Sequence, residues 1–254
     1  MYILFLIAII PVILLLSYIY KKDVAPEPRS MLTRLFIDGC ISILPVIFIE
    51  LFLDELMPSD GITNSLVLFC ITFLSVGIVE EGAKWLITYY KTYNNKEFNH
   101  PYDAIVYSVF VSLGFAMVEN VLYVCGSGLE VGIMRALLSV PSHAVDAVLM
   151  GYFLGLSKRE QFNHGKKEDL YLSLSVIIPA IIHTIFDYLI FMYVNTNMML
   201  HVYHLIDFVI FIYILSFIIV NKVSKIKSNY DGSPEIWHLH KIMKCVILMK
   251  QFVR

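Results

Sequence analysis

Residues 65–90 read SLVLFCITFLSVGIVEEGAKWLITYY. The stretch is long and apolar enough to cross a bilayer, for which about 20 residues suffice. Yet Glu80, Glu81 and Lys84 lie inside it. A charge near the bilayer centre costs a few kcal/mol or more, so one that is kept there is either paired or at work. Glu80 and Lys84 are four residues apart, and Glu81 and Lys84 three, so all share one helical face. An ion pair with Lys84 snorkelling to the interface would account for one glutamate. The other is left free to hold a proton or to take one from water.

Outward from this stretch, the 254-residue chain is 58% hydrophobic and 16% charged, with a mean hydropathy of +0.73. Soluble domains are about 45–50% apolar and about 25% charged. The predicted fold is therefore all-α, a polytopic transmembrane helical bundle. Seven spans are expected, near residues 2–20, 35–53, 65–90, 103–124, 135–157, 171–193 and 202–220. The first is too long for a signal-peptide core and lacks a basic leader, so it reads as a span that stays. A net charge of −2 leaves no basic face for nucleic acid. Cys40, Cys70, Cys125 and Cys245 are scattered and form no CxxC pair, which argues against a cysteine-rich zinc site or a disulfide framework.

Loop 21–34 carries Lys21, Lys22, Arg29 and Arg34, whereas 54–64 has no basic residue. Loop 91–102 carries Lys91 and Lys96, and the turn near 125–135 only Arg135. Loop 158–170 carries Lys158, Arg159, Lys166 and Lys167, loop 194–201 none, and the segment after 220 Lys222, Lys225 and Lys227. This alternation predicts an outside N-terminus, a cytoplasmic C-terminus and an odd number of spans. The tail, about 234–254, mixes Trp237, Ile242, Met243, Val246, Ile247, Met249 and Phe252 with Lys241, Lys244, Lys250 and Arg254. That pattern suits an amphipathic helix on the anionic cytoplasmic face. With no long polar segment, residues 1–254 form a single membrane-embedded domain whose chemical core spans about 65–193. No internal repeat is visible.

Three more polar motifs fall inside apolar spans. Phe115-x-x-x-Glu119 shares one helical face, with Asn120 beside it and Gly114 available for close helix approach. His143-x-x-Asp146 follows Pro141, and His183-x-x-x-Asp187 follows Pro179. Asp146 or Asp187 would orient the neighbouring imidazole and fix its tautomer. The prolines free backbone carbonyls and let a span bend around a wet cavity. At about 1.5 Å per residue, His143, His183, Glu119 and Asp187 fall roughly 18–24 Å from the cytoplasmic ends of their spans, and Glu81 only about 12 Å. The third span must therefore tilt, start deeper or bend near Gly77 and Gly82. Asp103 and Arg135 read as span-end residues, Glu50 and Asp54 as lying near the outer surface, and Asp207 near His204 stays unassigned.

The motifs Glu80-Glu81-Gly-Ala-Lys84, Phe115-Ala-Met-Val-Glu119 and His183-Thr-Ile-Phe-Asp187 resemble the EExxK, FxxxE and HxxxD motifs of the PrsW family of intramembrane proteases. The likeness covers about residues 65–193, and that family is related to the type II CAAX prenyl proteases. It implies first-site cleavage of a membrane-anchored anti-sigma factor in a bacterial cell membrane. Glu119 stands where the prenyl-protease relatives usually carry histidine. Two schemes fit the residues. In one, His143, His183 and Glu119 bind a divalent metal, zinc as first choice, with Asp187 as alternative ligand or orienter, and Glu80 or Glu81 takes the proton of a water. In the other no metal is needed: a glutamate activates water directly, and His143, His183 and Asn120 donate to the oxyanion. HExxH is absent, so the chain is not an ordinary zincin. A proton or ion transporter using the carboxylates as a relay is the alternative of another class, and a CAAX-type processing enzyme the alternative substrate class.

Overall fold

The computed structural model describes residues 2–226 and 230; the expected tail helix at 234–254 lies outside the described residues. Seven α-helices follow in order: α1 (Tyr2–Lys22), α2 (Arg29–Leu56), α3 (Ser65–Thr92), α4 (Asp103–Met134), α5 (Val140–Phe162), α6 (Glu168–Thr196) and α7 (Met199–Val223). There is no strand among the described residues.

Six helical runs are long and apolar enough to cross a membrane, and one of them, Asp103–Phe162, is 60 residues long. A straight helix of that length would measure about 90 Å, three times the hydrocarbon core. It breaks at Gly128, whose φ of 86° and ψ of −164° only glycine adopts readily. The chain then doubles back, so that Ser112 Oγ donates to the His143 carbonyl at 2.9 Å. The run therefore makes two passes, and the bundle has about seven, as expected. The turn is tighter than the sequence suggested. It occupies one residue, and Arg135 lies well inside the returning limb.

α4 is the central helix and packs against α1, α2, α3 and α5; α6 packs against α3, α5 and α7. Lipid-type side chains such as Leu44, Phe48, Leu66 and Val194 point outward from the surrounding helices. This inverts nothing in the usual burial logic, because the solvent around a span is itself apolar. Two close approaches position the site. A Cβ on Gly114 would collide with the Phe36 carbonyl, so Gly114 seats α4 on α2. A Cβ on Gly77 would collide with Thr184 Oγ1 and the Ala180 carbonyl, so Gly77 seats α3 on α6.

The two helices that deliver the acid and imidazole motifs each carry one π-helical turn just before them. Phe73–Gly77 precedes Glu80, and Arg135–Ser139 precedes His143. Such a turn inserts a residue and rotates everything after it, and it is common at functional sites. The first π turn ends at Gly77, where a bend was expected. Glu81 lies level with His183, with Oε1 3.0 Å from Nδ1, so the depth mismatch is absent.

Candidate active site

Lys84 stands at the centre and is fully buried, so it does not snorkel. Its Nζ donates to Glu80 Oε2 at 2.9 Å and to Glu81 Oε1 at 2.8 Å. It also lies 3.1 Å from His143 Nδ1. An ammonium has no lone pair, so Nδ1 is the acceptor and the ring hydrogen sits on Nε2. That nitrogen faces Glu119 Oε2 at 2.8 Å. The Phe115 ring caps the ammonium 4.2 Å from its centroid, a cation–π contact that explains why an aromatic precedes Glu119 by one turn.

His183 completes the group from α6. Its Nδ1 is 3.0 Å from Glu81 Oε1 and 3.4 Å from Asp146 Oδ2. Its Nε2 is 3.2 Å from Asp187 Oδ2 and 3.7 Å from Glu80 Oε2. The two imidazoles lie with ring centroids 5.2 Å apart. Four helices, α3 to α6, thus contribute to one polar cluster.

Three placements differ from the sequence reading. Asn120 faces away: its Nδ2 donates to the Ala8 carbonyl on α1 at 3.2 Å, which takes it out of any oxyanion role in this arrangement. Arg135 is not a span-end residue. Its Nη2 pairs with Glu119 Oε1 at 2.7 Å, and its guanidinium lies 4.0 Å from the Tyr123 ring centroid. Glu50, near the outer end of α2, is more than a span-end residue: it lines the same cavity as Glu80. A sequence signal for Arg135 existed, since a lone arginine in a basic-poor turn facing a buried glutamate needs a partner.

A cavity of about 490 Å³ opens beside the cluster. Glu80, Glu119, His143, Asp146, His183 and Asp187 line it; Glu81 and Lys84 lie behind that wall. Glu80, Glu81, His143 and His183 each offer one ligand atom, and these atoms lie within 4.8 Å of one another. Glu119 and Asp187, the carboxylate ligands expected from sequence, are outside this set; they contact the imidazoles instead. Two imidazoles with carboxylates are a fitting donor set for a catalytic divalent cation. The second oxygen of Glu81 is buried and has no hydrogen-bond partner, an orphan that a cation would satisfy.

The sequence profile described as PrsW family intramembrane metalloprotease matches residues 27–215. The chain belongs to the PrsW family. Protease PrsW of Geobacillus kaustophilus (strain HTA426) is 41% identical over 180 residues, covering 70% of this chain and 76% of the relative. Protease PrsW of Bacillus subtilis (strain 168) is 36% identical over 206 residues, covering 81% and 88%. Protease PrsW of Shouchella clausii (strain KSM-K16) is 32% identical over 223 residues, covering 87% and 96%. No solved structure matches the chain. The protein is thus a multi-pass, membrane-embedded protease, and the transporter reading gives way to it.

Proposed function

We propose that the chain cuts a membrane-anchored anti-sigma factor within this cavity, the first step in releasing an extracytoplasmic-function sigma factor. One observation carries the reading: two glutamates and two imidazoles from three helices meet at a single buried point beside a cavity of about 490 Å³. The alternation of basic loops supports an outside N-terminus and a cytoplasmic C-terminus in a bacterial cell membrane.

His143, His183 and Glu81 would hold the metal, with zinc the first choice from the donor set. A cation held there would supply Lewis-acid chemistry, polarising a carbonyl and making water more acidic. Glu80 is the one of the glutamate pair that faces the cavity, so it is placed to accept the attacking water's proton and pass it to the leaving amine. Lys84 offsets the charge of both glutamates and fixes their rotamers through bonds from a single nitrogen. Glu119 orients His143 through its Nε2 and Asp187 orients His183 through its Nε2, as outer carboxylates do for imidazoles that ligate through the other nitrogen. Arg135 pairs with the other oxygen of Glu119 and holds it turned toward His143.

The test is a pulse-chase of a membrane-anchored anti-sigma factor co-expressed with the wild-type chain or with Glu80→Gln. A shortened product is expected only with wild type. Full-length substrate persisting equally in both would overturn the proposal.

A further inference from the structure

α2 lends the cavity an apolar wall of Ile43, Ile47 and Leu51, and two carboxylates, Glu50 and Asp54, one helical turn apart. Glu50 Oε1 is inaccessible and has no hydrogen-bond partner. The cations near the cavity are already engaged: Lys84 by Glu80 and Glu81, Arg135 by Glu119. Glu50 lies within electrostatic reach of Glu80 and Glu119, and less strongly of His183 and Lys84, both of which are already paired with other carboxylates. Ser142, only 4% exposed, also lines the cavity, and its hydroxyl has no hydrogen-bond partner among the described residues. Buried polar atoms are ordinarily satisfied, so such orphans along one cavity mark the place of a ligand. A cation brought beside a buried acid favours its ionised form and supplies the partner it lacks.

We propose that Glu50, with Asp54 one turn further out, forms a substrate subsite that takes a lysine or arginine side chain of the membrane-anchored protein being cut. This rests on the protease reading above and names the substrate feature it recognises. Glu50 lies near the end of α2 that leads to the 57–64 loop, which has no basic residue. The basic side chain therefore belongs on the extracytoplasmic side of the scissile bond, within one to two helical turns of it. Apolar contacts with Ile47 and Leu51 suit the aliphatic stem of such a side chain, while Glu50 meets its charged end. A basic residue is scarce at the outer end of a span, so its recognition would set the substrate apart from most single-span proteins in the same membrane.

The test uses the full-length chain in proteoliposomes and three single-span model substrates that differ at one such position, carrying Lys, Gln or Glu. Wild type is expected to cleave the Lys substrate about tenfold or more faster than the Gln substrate in kcat/KM, mainly through KM, and the Glu substrate slowest. Glu50→Lys should invert the order, favouring the Glu substrate. Should Glu50→Lys fail to fold, Glu50→Gln must shrink the Lys-to-Gln ratio to within about twofold. The same substrate order in wild type and variant overturns the subsite while leaving the protease reading intact. Cleavage of none of the three by wild type fails the protease reading itself.

Discussion

Two groups of buried carboxylates occupy different levels of this bundle, and they behave as opposites. In the first, Glu80, Glu81, Glu119, Asp146 and Asp187 are interleaved with Lys84, Arg135, His143 and His183, and the group borders a cavity. In the second, Asp23 and Glu27 from the α1–α2 loop meet Asp103 and Tyr107 at the start of α4, with His100 nearby. There the strongest charges acting on Glu27 are those of other acids, Asp23 and Glu97. Burial, helped by those charges, pushes the Glu27 carboxyl up to about 7 and raises Asp23 as well. The lesson is that gathering acids inside a membrane protein does not make a hydrolytic site. Glu27 and Asp23 are packed against acids and favour their protonated forms, whereas each carboxylate of the first group faces a cation or an imidazole.

The contrast can be broken most severely at the first group. Glu81→Gln and His183→Ala should each reduce turnover by about 10³-fold or more while the helical circular dichroism is retained. Normal turnover of a co-expressed substrate by either variant would contradict the assignment. Removing the central cation makes the first group resemble the second. Lys84→Met should destabilise the protein by about 3–5 kcal/mol, because it strands buried carboxylates. A thermal melt in detergent reads this as a large fall in Tm, and an unchanged Tm would show that Lys84 is dispensable to the packing. Arg135→Gln acts one contact further out and should lower activity or metal affinity by about 10–100-fold, as loss of a supporting partner does. A fall in stability alone, with full metal affinity and turnover, would make Arg135 purely structural.

The smallest effect belongs to the second group. The Glu27 carboxyl is raised in the folded state from 4.5 to about 7. Its contribution to stability is therefore fully present below about pH 4.5 and is lost as pH rises toward 7. Glu27→Gln should match wild type in Tm at pH 5, exceed it at pH 8, and leave turnover within about twofold, since Glu27 touches nothing in the cavity. A Tm gap that is the same at both pH values would show that Glu27 is not titrating in this range.

Much of this was legible in the sequence. Spans follow from apolar length, and the motif residues stand out because charge is dear in lipid. The missing parts are those that helix rotation decides. Glu119 and Asn120 are adjacent, about 100° apart around the helix, so they cannot both face the cavity. An all-apolar span offers no amphipathic face to say which one does. Close packing of Gly114 on α2 settles it, turning Asn120 to α1. Arg135 was hidden by the position of the turn: placing the break at Gly128 rather than spreading it to 135 moves that residue from the rim into the bundle. The π turns before both motifs leave no mark in composition, yet they set which carboxylate faces His183. Helix ends were also understated, as α2 runs over Arg29–Leu56 where apolar length indicated 35–53. Polar end turns go on forming backbone hydrogen bonds after hydrophobicity fades.

The central claim is that the Glu80–Glu81 pair and the two imidazoles form a metal-binding catalytic centre. Elemental analysis of protein purified without chelator, run beside Glu81→Gln and a His143→Ala/His183→Ala double variant, tests it most directly. Close to one divalent transition-metal ion per wild-type chain is expected, with loss of that ion together with cleavage in both variants. Fully active wild-type protein with no stoichiometric metal, or variants that keep the ion, would contradict it.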